Sequence, residues 1–436
     1  MAQVSIGQVE NLEDLLRGLH SVRASLEAAC QAQLAAAALT FQDARDETAR
    51  SETMLEQAVQ HEQAAHQAVE DAEQTLYACQ HALDGAESAL SACLAQPVAE
   101  GEAAPDCASD HASAMRAQAA VENARSALAQ AKAVFEHATA HRQSMEQRVD
   151  LVKQAQAMAE QLVEQVQLEC NARLATVDQS IEIGAARVQA AQQALNAYLE
   201  TTPPAAQFHA WLKWDPALHG APITPDTLRD RMNLSSEHRQ MLQQYLYERN
   251  AAYRKQVDKY RTQWAAAKGD TERNIVARKA RIHLSGEFGE QIARHALAPL
   301  GGRIETQGRT FVGDHGRYTK TDLLVSDLRV PVILGRGAGM GAPVGGSMAF
   351  EVKCGKAEYL CAQLDHMVFQ AEGHKQADAQ CTLCSRDIHD LSPEKQKALR
   401  EALRAAGSPM VGMLPKKNEI DQSCLAFIRD HEEGQP

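Results

Sequence analysis

Glu351 and Lys353 are the residues whose types and spacing point most directly to chemistry. They sit in Met348-Ala349-Phe350-Glu351-Val352-Lys353-Cys354-Gly355, an apolar run that glycines precede and a glycine closes. Residues two apart in an extended chain point to the same face, so a carboxylate and an ammonium would stand side by side on a core strand. Such a pair is costly to bury unless the two groups share a ligand. A second strand is predicted at Thr321-Asp322-Leu323-Leu324-Val325, with a carboxylate at its start. A helix over Gly286-Glu287-Phe288-Gly289-Glu290-Gln291-Ile292-Ala293 carries a third at Glu290, with Glu287 one turn earlier as its rival.

If the two strands pair, Asp322 and Glu351 become neighbours, and Glu290 reaches the same place from the helix. A hard cation such as Mg²⁺, or Mn²⁺ in its stead, binds one or two carboxylates together with phosphate oxygens and water. Lys353 would then orient a nucleophile and offset charge on a pentacovalent phosphate. The bland alternative is a set of salt bridges on an unrelated sheet, since an isolated Glu-x-Lys strand is common.

The order matters more than any one residue. Helix with Glu, strand with Asp, strand with Glu-x-Lys resembles the PD-(D/E)xK nuclease superfamily, over roughly residues 285–430. The resemblance implies a restriction-endonuclease-like α/β fold and a metal-dependent endonuclease that hydrolyses DNA. It implies a metal held by Glu290, Asp322 and Glu351, and catalytic roles for these three and Lys353. Relatives place a Gln or Tyr on the helix after the Glu-x-Lys strand. Gln370 and Gln363 are therefore candidates on a predicted helix 357–376, where Tyr359, Gln363, His366, Gln370 and His374 recur at steps of three or four. An ordinary exposed face gives the same spacing.

Two other stretches read as structure. The Gly-rich run Gly335 to Gly346 has no Gly-Lys-Ser/Thr to close a phosphate loop and is predicted to be a flexible loop. Cys381-Thr382-Leu383-Cys384 lacks the second Cys-x-x-Cys of a zinc site, so buried thiols are expected.

The elements that must position these residues follow from pattern and charge. The chain has 436 residues, enough for two or more domains, and only 4% aromatics, too few for one large core. Residues 1–200 hold 29 acids and 12 bases, net −17, and the remainder nets +4, with 14 bases against 8 acids in residues 201–284. That positive segment could steer a phosphate backbone or be a solvated helical face. No apolar run is long enough for a membrane span. Ten cysteines without framework spacing, and no signal peptide, read as reduced thiols in a cytosol.

Three segments are expected: a helical coiled-coil hairpin over 1–200, a helical linker domain over 201–284, and the nuclease-like domain over 285–436. The seam of the first is predicted from Leu12, Leu16, Leu19, Val22 and Leu26 onward, and later from Leu151, Ala155, Met158 and Leu162, with many Ala positions. Each helix would run on the order of 130 Å at 1.5 Å per residue, with a break or bend expected somewhere. A linker falls at Gln96 to Asp110. Residues 205–280, with all three Trp, are given a core of their own, and a basic helix is predicted over 240–268, packed on the catalytic domain. Strands are predicted at 303–306, 310–312, 321–325, 348–353, 381–383, 410–414 and 425–428, with helices at 286–298 and 393–406.

A long helical region ahead of such a domain also resembles bacterial polymorphic toxins, notably type VI secretion effectors. That layout implies a DNA substrate, a cognate immunity protein, and a secretion spike component or chaperone docking on the helices. It implies a protein held in the producer's cytoplasm and delivered, without a signal peptide, to a target cell's cytoplasm. A DNA-repair or phage-defence nuclease with a dimerising coiled coil, and a non-enzymatic helical scaffold or adaptor, are the alternatives.

Overall fold

The computed structural model describes residues 4–97, 103–218, 220–307, 310–312, 318–335, 340–374 and 379–429. Much of the Gly-rich run, residues 336–339, and part of the expected linker, 98–102, lie outside them. Two helices, α1 (Ile6–Leu94) and α2 (Ala108–Thr201), run unbroken for 89 and 94 residues, so the anticipated break is absent. The chain forms two compact units, Gly18–Ile181 and Met1–Arg17 with Glu182–Pro436, and these do not follow the expected boundaries at 200 and 284.

In the first unit the helices pair antiparallel. Arg23 meets Asp178 at 2.6 Å, Glu47 meets Arg148 at 2.6 Å, Glu62 meets Arg142 at 2.6 Å and Glu73 meets Lys132 at 3.0 Å. Rising numbers on α1 thus face falling numbers on α2. The buried positions are small: Cys30, Ala37, Ser51, Ala58 and Ala65 on α1 recur at multiples of seven. Small side chains let backbones approach closely but bury little apolar area. The predicted α2 seam is therefore displaced. Leu151, Met158 and Leu162 point outward, and the buried or half-buried line runs one position later, through Val152, Gln156, Ala159 and Val163. Reading the largest apolar residues as the seam misses an interface built from small ones.

Antiparallel pairing also corrects the reading of the cysteines. Cys30 and Cys170 form a disulfide, as do Cys93 and Cys107, with Cα atoms 5.7 and 6.0 Å apart. Spacing along the chain could not show this, because the first pair is 140 residues apart. Six cysteines are free thiols. Closing a loop of that length constrains the unfolded chain by about 4–5 kcal/mol, and the shorter loop by about 3 kcal/mol. Reductant is therefore expected to lower the thermal midpoint of the helical unit, and Cys30→Ser should reproduce most of the drop. A calorimetric transition unchanged by reductant would contradict the cross-links.

The second unit contains α3 (Pro203–Leu212), α4 (Pro225–Met232), α5 (Ser236–Arg249), α6 (Ala251–Ala266) and α7 (Asp270–Leu297). The expected helix 240–268 is two helices, because the Asn250 side chain accepts hydrogen bonds from the Ala252 and Tyr253 amides and starts a new one. The helix expected at 286–298 is the last part of α7, which begins at Asp270.

Strands follow as β1 (Gly301–Thr306), β2 (Thr310–Val312), β3 (Tyr318–Lys320), β4 (Leu323–Leu328), β5 (Val332–Ile333), β6 (Gly341–Ala342) and β7 (Met348–Lys353). Then come α8 (Ala357–Ala362), α9 (Leu364–His374), β8 (Ala379–Ser385), α10 (Pro393–Ala405), β9 (Met410–Leu414) and α11 (Lys417–Arg429). Five strands make one mixed sheet in the order β1-β4-β7-β8-β9. β4 runs antiparallel to both of its neighbours, β1 and β7, whereas β8 and β9 continue parallel to β7.

Two further expectations change. The strand predicted at 425–428 is part of α11, whose buried Ile420, Cys424, Leu425 and Ile428 share one helical face. The single helix 357–376 is broken at Gln363 into α8 and α9, and its last two residues lie outside the described set.

Burial ties the second unit together. Tyr253, Val257, Tyr260 and Trp264 of α6 join Phe288 and Ile292 of α7 and Phe350 and Val352 of β7 in one core. Residues 205–280 thus share the sheet's core instead of having their own. Ile6, Val9 and Leu195 belong to the same core. Glu10 fixes the first turns of α1 here, accepting from Tyr245 Oη at 2.7 Å and from Lys213 Nζ at 2.8 Å. A smaller core of Leu360, Met367, Ala371, Leu399 and Leu403 joins α8, α9 and α10. No described helix is long and apolar enough to cross a membrane.

Candidate active site

Strand pairing brings the two acid-bearing segments together. Leu323 of β4 lies opposite Phe350 of β7, so Asp322, one residue before β4, reaches the level of Glu351. Asp322 Oδ2 accepts the Val352 amide at 2.8 Å, which anchors its carboxylate at the end of the β4–β7 ladder. Glu351 is only 5% exposed. Lys353, on the same face two residues on, donates to Glu351 Oε2 at 3.0 Å and lies 3.8 Å from Asp322 Oδ2. Three of the predicted residues are therefore in one cluster, with the ammonium facing both carboxylates.

His374 enters from behind. It is 1% exposed at the end of α9, with Nε2 3.4 Å from Glu351 Oε1. Gln370, one turn earlier, is also buried, and its amide oxygen has no hydrogen-bond partner among the described residues. The polar row foreseen on this helix is thus divided: Tyr359 and His366 are exposed, Gln363 is half-buried at the break, and Gln370 and His374 face inward. His374 is the residue whose role the sequence pattern did not reveal. Its signal was the four-residue step from Gln370, which reads equally well as a solvated face.

Burial governs the electrostatics. Loss of hydration pushes the Glu351 carboxyl up; Lys353 opposes that rise, and the charge of Asp322 adds to it. Burial works against the Lys353 charge, but Glu351 and Asp322 outweigh it and hold the ammonium above its ordinary value. The Glu290 carboxyl is pushed up to about 7, first by desolvation and then by Asp322. Burial pushes the His374 imidazole down to about 4, so it is neutral near pH 7.

The site opens into a cleft of about 650 Å³ lined by Glu290, Asp322 and Lys353, with Lys356 and Tyr359 at its edge. A second cleft, about 910 Å³, is lined by Glu287 and Glu290 together with α6. Of the two glutamates, only Glu290 lines both clefts, which separates the two helix candidates. Glu290→Gln is expected to slow any reaction in the first cleft about tenfold or more, and Glu287→Gln far less; equal losses would contradict the assignment.

A divalent cation fits two of these residues. Glu351 Oε1 is buried with no hydrogen bond among the described residues, and Asp322 shares its ammonium partner. Hard, oxygen-only donors in that number suit Mg²⁺. Glu290 stands beside the pair, not within it: among the described residues no group of three or more His, Cys, Asp or Glu side chains could hold an ion. Cys381 and Cys384 are buried free thiols, with the Cys384 thiol pushed up to about 12 by burial. No known family, curated protein or solved structure matches the chain.

Proposed function

We propose that this chain is a metal-dependent nuclease of the PD-(D/E)xK type that hydrolyses DNA phosphodiester bonds. The observation that carries the reading is the Asp322–Glu351–Lys353 cluster, with Glu351 buried and the half-buried Asp322 and Lys353 lining a cleft, and with Lys353 Nζ 3.0 Å from Glu351 and 3.8 Å from Asp322. Asp322 and Glu351 would hold Mg²⁺ or Mn²⁺, which when bound polarises a phosphoryl oxygen and makes water more acidic. Lys353 keeps its proton, orients the attacking water and offers a fixed positive charge to the phosphate as negative charge builds on it. Glu290, which lines the same cleft and whose carboxyl is pushed up by desolvation and by Asp322, would take the proton that the water loses. His374, neutral and buried, lies behind Glu351 with its Nε2 3.4 Å from Oε1.

The long paired helices ahead of this domain support the delivered-toxin layout, with an immunity protein as neutraliser and a spike component or chaperone on the helices. The nuclease reading with that layout makes a direct prediction. Expression of the full chain in a bacterial cytosol should arrest growth and degrade chromosomal DNA, and Lys353→Ala should abolish both effects. Growth and DNA left intact by the parental chain, expressed at the same level, would count against an unrestrained DNase.

A further inference from the structure

Two glycines interrupt the second half of α7, and the space around them differs. A Cβ on Gly289 would stand 2.8 Å from Cys354 Sγ, so that glycine lets the helix sit close to the segment leaving β7. A Cβ on Gly286 would meet no atom within 4 Å. Glycine in mid-helix is less stable than alanine, and no packing neighbour requires it at this position. What the missing side chain supplies is bare helix surface, one turn before Glu290. Gly286 is also where the two clefts meet. Ile282, Gly286 and Glu290 recur every four residues on α7 and line both clefts, so the ridge between them is lowest at the glycine.

Cations stand on either side of this saddle. Lys255 and Lys259, exposed and one turn apart on α6, line the outer cleft. Arg278, Arg281 and Lys356, also exposed, line the cleft over the carboxylates. The lysines are held firmly, because the same helix buries Tyr253, Val257, Tyr260 and Trp264 in the core. From Arg278 to Glu290, α7 rises about 18 Å at 1.5 Å per residue, or roughly five steps of a duplex strand at 3.4 Å each. A small phosphate ester would need one cleft; a polymer of phosphates can use both.

We infer that the two clefts are one groove for a polynucleotide, whose backbone crosses α7 at Gly286. Lys255 and Lys259 hold phosphates on one side of the scissile bond, and Arg278, Arg281 and Lys356 hold them on the other. This rests on the phosphodiester-hydrolase reading, but binding can be measured without hydrolysis. The full chain in EDTA is titrated into a fluorescein-labelled DNA duplex at several salt concentrations and followed by anisotropy. The slope of log affinity against log salt is expected to fall by about 0.9 for each cation–phosphate pair removed, in Lys255→Ala/Lys259→Ala and in Arg278→Ala/Arg281→Ala alike. Gly286→Leu should weaken binding about tenfold with an unchanged circular dichroism spectrum, and Gly286→Ala should fall between it and the parent. A parental slope in either double variant, or parental affinity in Gly286→Leu, would overturn the groove. A chain that binds with these dependences yet cleaves nothing in Mg²⁺ leaves the groove standing and removes the hydrolase reading.

Discussion

Lys353→Ala is expected to lower DNA cleavage by about 10²–10³-fold while leaving the fold in place, the scale seen when one preorganised charge-stabilising donor is removed. Lys353 touches both carboxylates of the cluster and lines the cleft in which a phosphate would sit. Its loss leaves Glu351 without its cation. A buried carboxylate stripped of its partner would cost several kcal/mol if it stayed ionised. Glu351 escapes that cost by keeping a proton, toward which its burial already biases it. The variant should therefore fold, melt within a few degrees of the parent, and fail in catalysis. Lys353→Arg keeps the charge but replaces a compact ammonium with a planar fork, so it should recover only part of the rate. Parental cleavage by Lys353→Ala would remove this lysine from the reaction.

The second large effect is on stability as a function of pH. Glu351 is held above its ordinary value of 4.5 in the folded chain, so the native state keeps a proton that the unfolded chain has released. Its contribution is fully present below pH 4.5 and is lost as pH rises through the raised folded value. Glu290 acts in the same direction, but its side chain is exposed and water screens most of its contribution. His374 works the other way: its folded value of about 4 against an ordinary 6.5 means that stability is lost only as pH falls below 6.5. Between pH 6.5 and 8.5 the carboxyls therefore dominate. In EDTA the thermal midpoint should fall across that range, and Glu351→Gln should flatten the fall. Each unit of pKa difference is worth about 1.4 kcal/mol, so the variant should be the more stable protein at pH 8. Added Mg²⁺ should raise the parent's midpoint by mass action and leave the variant's nearly unchanged. A midpoint indifferent to pH in the parent would mean that Glu351 is neither desolvated nor coupled as described.

Sequence made the carboxylate–ammonium strand legible because the Glu-x-Lys pair sits inside an apolar run bounded by glycines, and that run is the buried strand β7. The neighbouring strand was legible as an apolar run with a carboxylate at its start, and β4 and β7 do pair at the register that brings Asp322 to Glu351. His374 was not, since a histidine four residues after a glutamine on a helix looks alike whether it faces water or a buried carboxylate. The last helix was misread as a strand because Leu425 to Ile428 is a short apolar run, and only Ile420 and Cys424 upstream supply the helical period. In the paired helices, local pattern favoured leucines and methionines, whereas close antiparallel approach selects alanine, serine and cysteine. The two disulfides depend on that pairing, which no local pattern encodes.

The central claim is that Asp322, Glu351 and Lys353 form a metal-dependent nuclease centre. Its most direct test is incubation of supercoiled plasmid with the purified full chain in Mg²⁺, in Mg²⁺ with excess EDTA, and in Mg²⁺ with the Lys353→Ala protein alongside. Conversion to nicked or linear DNA in the first reaction alone is the predicted result. Plasmid left supercoiled in all three, or cut equally in all three, would contradict it.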